Sequence, residues 1–388
     1  MEKIIALYRF LLSQTDTRFL RYLHEKIAWN ARMVGIVGAR GVGKTTMLLQ
    51  HIKMFLDVDK TLYINADDTY FSENSLFDFA DTFHKNGGKH LYIDEIHKYP
   101  QWSKELKMMY DYFPDLQVVF TGSSILDIYK GSDDLSRRAL QYHLAGLSFR
   151  EYLNISENKQ IRTYSLDEIL ANKVDLPVEH PLPVFREYLR KGYYPFYNEE
   201  GFDIRLNSVV NQTIENDIPL FANMNMATSR KLKQLLFVVA QSVPFKPNFN
   251  DLAKMIETHR NQVKEYLILM EKASLLIQLQ SAATGMKALE KTEKIYLGNP
   301  NLIHALAAEN SNIGNVRETF FACQTFVNNK VTAADKADFM IDDYTFEVGG
   351  KSKNQAQIAG LKNAFVVKDD IEYGYQNILP LWAFGLNY

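Results

Sequence analysis

The sequence predicts an α/β protein built on a parallel sheet with helices on both faces, and two observations support this prediction. Apolar runs of strand length alternate with helical patterns over the first third of the 388 residues, and strands that alternate with helices pair in parallel. A glycine-rich loop at residues 38–46 joins the first strand to the helix after it. More helical and mixed segments follow, and the chain is long enough for several domains.

Four strands of the sheet are predicted, at residues 33–37, 61–65, 89–95 and 116–124. Residues 1–30 have the pattern of one or two helices, and a further helix is predicted over 103–112. Ligands of parallel sheets bind at the carboxyl ends of the strands. Three polar turns lie at these ends: the loop at 38–46, Asp94-Glu95, and Gly122-Ser123-Ser124.

The loop fits the phosphate-loop template, in which two glycines flank four residues and are followed by Lys and Thr. Glycines let the backbone wrap closely around a polyphosphate, and the N–H groups at a helix N-terminus attract anions. Lys44 is predicted to bind the β- and γ-phosphates of ATP, and the Thr45 hydroxyl to bind Mg²⁺. The predicted nucleotide-binding residues are Gly38, Arg40, Gly41, Val42, Gly43, Lys44, Thr45 and Thr46.

Two acids end the third strand, where a metal and an attacking water are expected. We predict that Asp94 holds Mg²⁺ together with Thr45 and that Glu95 polarises the water. Ser123, at the end of the fourth strand, is predicted to sense the γ-phosphate. An arginine can speed phosphoryl transfer by several powers of ten. Arg138 is the candidate, acting in its own chain or on a neighbouring subunit, and the alternative is a solvated surface arginine.

The composition is that of an ordinary soluble globular protein, with 46% hydrophobic and 23% charged residues. A net charge of −2 gives no general reason to expect binding to nucleic acid or to a membrane surface. One cysteine, Cys323, excludes a disulfide framework and a cysteine-rich zinc site. Since the sequence has neither a run of about 18 apolar residues nor a signal peptide pattern, we expect a cytoplasmic protein without a membrane span.

Four domains are predicted: an ATPase core at 1–155, a helical lid at 156–225, a winged helix at 226–297, and a C-terminal α/β domain at 298–388. The winged helix is indicated by three helical patterns followed by two strand-like runs. Its third helix carries His259, Arg260, Asn261, Gln262 and Lys264, which are side chains that can contact DNA. Lys287, Lys291 and Lys294 lie on the wing. Interspersed glutamates dilute this charge, so DNA binding and a protein-binding surface both remain open.

The C-terminal segment carries Asp338 before a turn and then Glu347 and Lys351, a pattern that resembles the restriction-endonuclease-like fold. In that fold the acids bind a divalent ion and the lysine positions a water. Glu318 is a candidate for a further carboxylate. The lysine usually follows the glutamate by two residues, where this chain has Gly349. An active nuclease and a domain that has lost catalysis therefore both remain open.

The chain resembles the bacterial and archaeal AAA-type ATPases of the STAND-related group, and the resemblance covers nearly its whole length. The residues that carry it lie at 38–46, 63–68, 94–98, 121–124, 135–138, 147–153 and 185–192. The resemblance implies an ATP-binding fold with a lid and a winged helix. Arg137 stands where relatives usually have Gly, which makes Arg138 the better-aligned arginine.

These observations together predict an ATPase that uses Mg²⁺ and is coupled to DNA or protein binding. The alternatives are a nucleotide-dependent DNA-binding switch with negligible turnover and an ATP-gated nuclease. The expected partners are ATP, DNA through the winged helix, and a protein partner or a second copy of the chain.

Overall fold

The computed structural model describes residues 2–122, 135, 137–222, 224–242, 244, 246–281, 292–307 and 312–388. The chain divides into two compact units, Met1–Gly146 and Leu147–Tyr388, which we call unit 1 and unit 2. Unit 1 ends before the helix Phe149–Ser156, which the sequence analysis had assigned to the ATPase core. The division of the second half into a lid, a winged helix and a C-terminal domain remains a prediction.

Unit 1 contains a five-stranded parallel sheet in the order β2-β3-β4-β1-β5. The strands are β1 Met33–Val37, β2 Thr61–Asn65, β3 His90–Asp94, β4 Gln117–Gly122 and β5 Leu140–His143, and the helices are α1 Glu2–Gln14, α2 Lys44–Phe55, α3 Leu76–Lys85 and α4 Trp102–Tyr112. All five residues of β1 are buried, as expected for a strand covered on both faces.

The first four strands lie where the apolar runs predicted them, whereas β5 was missed. Three of the four residues of β5 are exposed, because it is the edge strand beside β1. It therefore lacks the continuous apolar run that revealed the other four.

Unit 2 begins with helices and a hairpin. They are α5 Phe149–Ser156, α6 Leu166–Leu170, α7 Pro181–Glu187, α8 Phe202–Gln212, α9 Ile218–Ala222, α10 Met226–Ser242, α11 Phe249–Met255, α12 Arg260–Lys272, β6 Leu276–Gln280, β7 Thr292–Leu297, α13 Pro300–Ala307 and α14 Ile313–Thr325. π-helical turns at Tyr188–Gly192 and Thr213–Asp217 continue α7 and α8. The three helices and two strands expected at 226–297 are present in this order.

The C-terminal part of unit 2 is a second five-stranded sheet, in the order β12-β11-β10-β9-β8. Its strands are β8 Val331–Ala333, β9 Phe339–Ile341, β10 Tyr344–Gly349, β11 Ala364–Lys368 and β12 Ile378–Pro380. The two helices described within 298–388, α13 and α14, precede the strands and do not alternate with them. Within residues 331–388 only 3₁₀ turns accompany the strands, because the segment after β10 is rich in Gly, Asn, Gln and Lys and has no apolar helical stripe.

Helix α14 covers the second sheet through Phe321, whose ring centre lies 4.8 Å from that of Phe339 and 5.3 Å from that of Phe346. Cys323 on the same helix is buried, as expected of a core residue. Glu318 lies about one turn before Phe321. In the described residues, no helix is long and apolar enough to cross a membrane.

Candidate functional site

The glycine-rich loop connects β1 to α2 and needs its glycines for steric reasons. Gly41 and Gly43 have φ angles of 81° and 95°, in the left-handed region that disfavours other residues. A Cβ atom on Gly38 would lie 2.4 Å from the carbonyl oxygen of Leu144. Since α2 begins at Lys44, the N-terminus of that helix opens onto the loop, as an anion site requires.

Lys44 is buried and lies inside the loop. Its Nζ donates hydrogen bonds to the carbonyl oxygens of Gly38, at 2.9 Å, and Ala39, at 2.8 Å. The ammonium group is thus held within the loop that is predicted to surround the phosphates. Of the other predicted loop residues, Val42 is fully buried, Arg40 is partly buried and Thr46 is exposed.

The Asp94 carboxylate joins the loop to β3. Its Oδ2 atom accepts two hydrogen bonds, one from Thr45 Oγ1 at 2.5 Å and one from the Tyr63 hydroxyl at 2.8 Å. The other oxygen accepts from Thr121 Oγ1. Strand β4 lies between β1 and β3, so Thr121 on β4 is placed to contact Asp94 from the intervening strand.

Asp94 is only 2% exposed, and three hydroxyl donors offset the loss of hydration of its charge. Burial, followed by the charge of Asp94, raises the pKa of Tyr63, which keeps the phenol protonated as a donor. One carboxylate and one threonine hydroxyl suit Mg²⁺, which binds few protein oxygens and completes its shell with water and phosphate. No group of three or more His, Cys, Asp or Glu residues that could hold a metal occurs in the described residues.

Glu95 follows with a left-handed backbone, at a φ of 51°, and its side chain is 22% exposed. Its backbone N–H donates to the Asp94 carboxylate at 3.2 Å. The His97 Nε2 atom lies 3.6 Å from the Glu95 carboxylate. Burial first, and the nearby Lys98 ammonium second, lower the pKa of His97 to about 3. A neutral imidazole therefore lies beside Glu95 and adds no charge to the site.

Arg138 does not reach the loop of its own chain. It precedes β5, whose Leu140 pairs with Val34 near the start of β1, whereas the loop follows Val37 at the opposite end of that strand. At about 3.3 Å per residue, the length of the strand separates them. The guanidinium instead makes two hydrogen bonds to Asp111, at 3.0 and 3.3 Å. Action of Arg138 on the site of a neighbouring subunit remains a prediction.

The other predicted catalytic residue, Ser123, lies outside the described residues. Asp68, which follows β2, accepts a hydrogen bond from the backbone N–H of Tyr70 at 2.8 Å and so caps the turn Thr69–Ser72.

The roles of Tyr63, Thr121 and His97 around the two acids were not predicted from the sequence. Each of the first two is a hydroxyl residue near the carboxyl end of an otherwise apolar strand. A hydroxyl residue at this place in a strand could have indicated a hydrogen-bond donor near the site. The contact of His97 with Glu95 depends on a left-handed backbone that the sequence did not predict.

A second group of charged residues lies in unit 2, and we call it the carboxylate cluster: Glu318, Asp338 and Glu347 with Lys294 and Lys353. Asp338 and Glu347 lie opposite each other, since the adjacent residues Phe339 and Phe346 are paired in the β9–β10 register. Lys294 Nζ lies 2.8 Å from Asp338 Oδ1 and 3.4 Å from Glu318 Oε2.

The lysine that contacts Glu347 is Lys353, whereas the sequence analysis had proposed Lys351. Lys351 is exposed. A Cβ atom on Gly349 would lie 2.7–2.8 Å from side-chain carbons of Lys353. The glycine thus makes room for the stem of Lys353 beside Glu347.

Burial shapes the ionisation of the cluster. It raises the pKa of Glu318, with the neighbouring Asp338 as the second cause, and it also raises the pKa of Glu347. Burial opposes the charge of Lys294, but Glu318 and Asp338 outweigh it and raise the pKa of this lysine. Lys294 therefore stays charged between the acids.

The proposed DNA-contacting helix, α12, has His259, Arg260, Asn261 and Gln262 exposed at its start. Lys264 is partly buried, with its Nζ 5.5 Å from the centre of the Phe249 ring. On the wing, Lys287 and Lys291 lie outside the described residues. Lys294, which was expected to contact phosphate, is instead bound in the carboxylate cluster.

Comparisons with known proteins assign the fold of unit 1. Residues 30–153 match the family model of an AAA domain, which confirms the predicted AAA-type P-loop ATPase domain. Residues 183–313 match the model of a domain of unknown function. The winged helix, the restriction-endonuclease-like fold and the relation to the STAND group remain predictions.

The similar proteins are distant. The chain is 26% identical over 315 residues to the uncharacterized protein MJ1637 of Methanocaldococcus jannaschii, which covers 75% of this chain and 66% of that protein. A Walker-type ATPase of Pyrococcus abyssi is 12% identical with a TM-score of 0.47, over 73% of this chain and 93% of its own. AMPPCP-bound DnaA from Aquifex aeolicus is 13% identical with a TM-score of 0.25, over 70% and 88%. Both scores are below 0.5, so the assignment rests on the family match and the sheet.

Proposed function

We propose that unit 1 binds ATP and hydrolyses it with Mg²⁺, and that unit 2 couples the nucleotide state to DNA or to a protein. The observation that supports this proposal most is the 2.5 Å contact between Thr45 of the loop and Asp94, with Glu95 as the next residue. A loop that only held an anion would gain nothing from a carboxylate here, since like charges repel. A carboxylate beside a phosphate loop is useful when a cation lies between them.

The residues divide the work by their chemistry. Lys44 and the N-terminus of α2 bind the phosphates, and Thr45 and Asp94 hold Mg²⁺, which when bound offsets the charge that develops in phosphoryl transfer. Tyr63 and Thr121 orient the Asp94 carboxylate through their hydroxyl groups. Glu95 polarises the attacking water.

The first test compares nucleotide binding and phosphate release in the wild type and in Lys44→Ala. We expect the variant to lose ATP binding and the wild type to release phosphate only when Mg²⁺ is present. Lys104→Ala, on the exposed face of α4, is the matched control and should behave as the wild type. Wild-type turnover in Lys44→Ala, or turnover that persists in EDTA, would contradict the proposal.

We further propose that α12 contacts DNA, on the strength of its exposed and polar first turn. Phosphate contacts make binding strongly dependent on salt. The affinity of the wild type for a labelled duplex should fall as the salt concentration rises from about 50 to 200 mM. Arg260→Ala should bind the duplex more weakly than the wild type at the same salt concentration. Arg205→Ala, an exposed arginine of α8, is the control. Absence of salt-dependent binding would favour a protein as the partner of this surface.

Phosphate release and a plasmid-nicking assay distinguish the proposed ATPase from two alternatives. A nucleotide switch predicts tight ATP binding with negligible phosphate release, with or without DNA. An ATP-gated nuclease predicts nicking that depends on Mg²⁺ or Mn²⁺ and is lost in Glu347→Ala. We expect plasmid to stay intact, because Lys294 and Lys353 already bind the carboxylates that would hold the metal.

A further inference from the structure

The carboxylate cluster has a cation among its acids, and that cation belongs to the chain. Lys294 comes from β7, Glu318 from α14, and Asp338 from the residue before β9, so three separate segments converge on one ammonium group. The distances from Lys294 Nζ are 2.8 Å to Asp338 and 3.4 Å to Glu318. These contacts join β7 of the hairpin to α14 and to the residue before β9 of the C-terminal sheet.

The surroundings make this ammonium necessary. The side chains of Glu318, Asp338 and Glu347 are 17%, 14% and 2% exposed, so water does little to offset their charges. Tyr296 donates its hydroxyl to Glu318 Oε2 at 2.9 Å, and the backbone N–H of Val348 donates to Asp338 Oδ2 at 3.0 Å. Oε2 of Glu347 is buried and accepts no hydrogen bond within the described residues.

Carboxylate oxygens are the ligands that hard divalent cations take, but the cluster as it stands in the wild type is not a group of acids that could hold a metal. When all groups are ionised, the three acids and two lysines leave one net negative charge. Without Lys294, two negative charges would remain in a space that solvent scarcely reaches. Partly buried carboxylates are stabilised as anions by a compensating cation, and without one they tend to take up protons.

We propose that the Lys294 ammonium is the resident cation of the carboxylate cluster, and that it holds together acids that could bind a divalent ion in its absence. The ammonium takes the place of the metal and joins the hairpin to the C-terminal sheet. The wild-type protein then takes up no divalent ion at the cluster. Replacing Lys294 by an apolar side chain of similar length creates a site for one.

The experiment measures Mn²⁺ binding by electron paramagnetic resonance of the free ion, using the full chain without nucleotide. Lys294→Met should bind one Mn²⁺ more than the wild type. Its Tm should be about 6 °C lower without the ion and should recover in saturating Mn²⁺. The double variant Lys294→Met with Glu318→Gln should lose the additional Mn²⁺.

The matched control is Lys246→Met. Lys246 pairs with Glu293, the neighbour of Lys294 on β7, at 2.7 Å, but it is not part of the cluster. This variant should bind no more Mn²⁺ than the wild type. If Lys294→Met folds only in the presence of Mn²⁺, the proposal is supported.

Three results would overturn the proposal. In the first, Lys294→Met binds no additional ion or stays unfolded with Mn²⁺ present. In the second, the wild type binds Mn²⁺ at a site that Glu318→Gln removes while Lys294 is retained. In the third, the additional site of Lys294→Met survives Glu318→Gln, which would place it outside the cluster.

Discussion

Removing the Tyr63 hydroxyl tests whether Asp94 is held as a buried, charged carboxylate. The hydroxyl lies 2.8 Å from Asp94 Oδ2, and Asp94 is 2% exposed. Tyr63→Phe keeps the ring and deletes only the donor. A hydrogen bond to a charged group contributes about 1.5–3 kcal/mol, and relief from burying the hydroxyl offsets about 1 kcal/mol. We therefore expect the free energy of unfolding to fall by about 0.5–2 kcal/mol.

The matched control is Tyr92→Phe on the neighbouring strand. Tyr63 and Tyr92 pair directly in the β2–β3 register, and both are buried. The Tyr92 hydroxyl accepts or donates no hydrogen bond within the described residues. Deleting it removes a buried polar group without breaking a bond, so stability should stay equal or rise.

The assay is urea unfolding followed by tryptophan fluorescence, in which Trp29 and Trp102 report on unit 1. Magnesium-dependent nucleotide affinity, measured on the same proteins, should weaken in Tyr63→Phe alone. If Tyr63→Phe matches the wild type in both measurements while Tyr92→Phe destabilises, the proposed arrangement of Asp94 is refuted.

Two other predictions concern charge. The pKa of His97 is about 3 in the folded chain and 6.5 when unfolded. The unfolded chain therefore binds more protons in this window, and the free energy of unfolding falls as the pH falls from 6.5, by up to about 1.4 kcal/mol per pH unit. In His97→Gln the unfolded chain binds one proton fewer, so the free energy of unfolding should depend less steeply on pH in urea titrations. An unchanged dependence on pH would contradict the burial of a neutral imidazole. Arg138→Ala breaks a partly exposed ion pair with Asp111 and should cost less than about 1 kcal/mol. If Arg138 acts on a neighbouring subunit, phosphate release per subunit should rise with protein concentration in the wild type but not in Arg138→Ala. A loss of turnover in Arg138→Ala that is the same in dilute and in concentrated protein would exclude that role.

The sequence predicted the strands of unit 1 well because each buried strand is one continuous apolar run. Strands β1 and β2 match their predicted ends, β3 lies within one residue of its predicted ends, and β4 begins one residue after its predicted start. The edge strand β5 has exposed residues and was missed for that reason.

Positions in the site depend on the order of the strands in space. Since β4 lies between β1 and β3, Thr121 reaches Asp94 although 27 residues separate them. The same order, with β5 parallel to β1, places Arg138 at the end of the sheet away from the loop. Proximity along the chain to the loop could not reveal either relation.

Long side chains were the least predictable. Lys294 was expected on the wing as a contact for DNA phosphate, but its ammonium contacts Glu318 of α14 and Asp338 before β9. Similarly, Lys353 contacts Glu347 because Gly349 leaves room for its stem. Spacing from the glutamate had favoured Lys351. Lysine side chains reach far enough for neighbouring segments to decide their contacts.

The most direct test of the ATPase proposal is Glu95→Gln, which keeps the size of the side chain and removes its charge. Binding of ATP with Mg²⁺ should be retained, because Lys44, Thr45 and Asp94 are unchanged. Phosphate release should fall by a factor of about 100 or more, as expected when a general base is lost. A variant that hydrolyses ATP at the wild-type rate would contradict the role of Glu95.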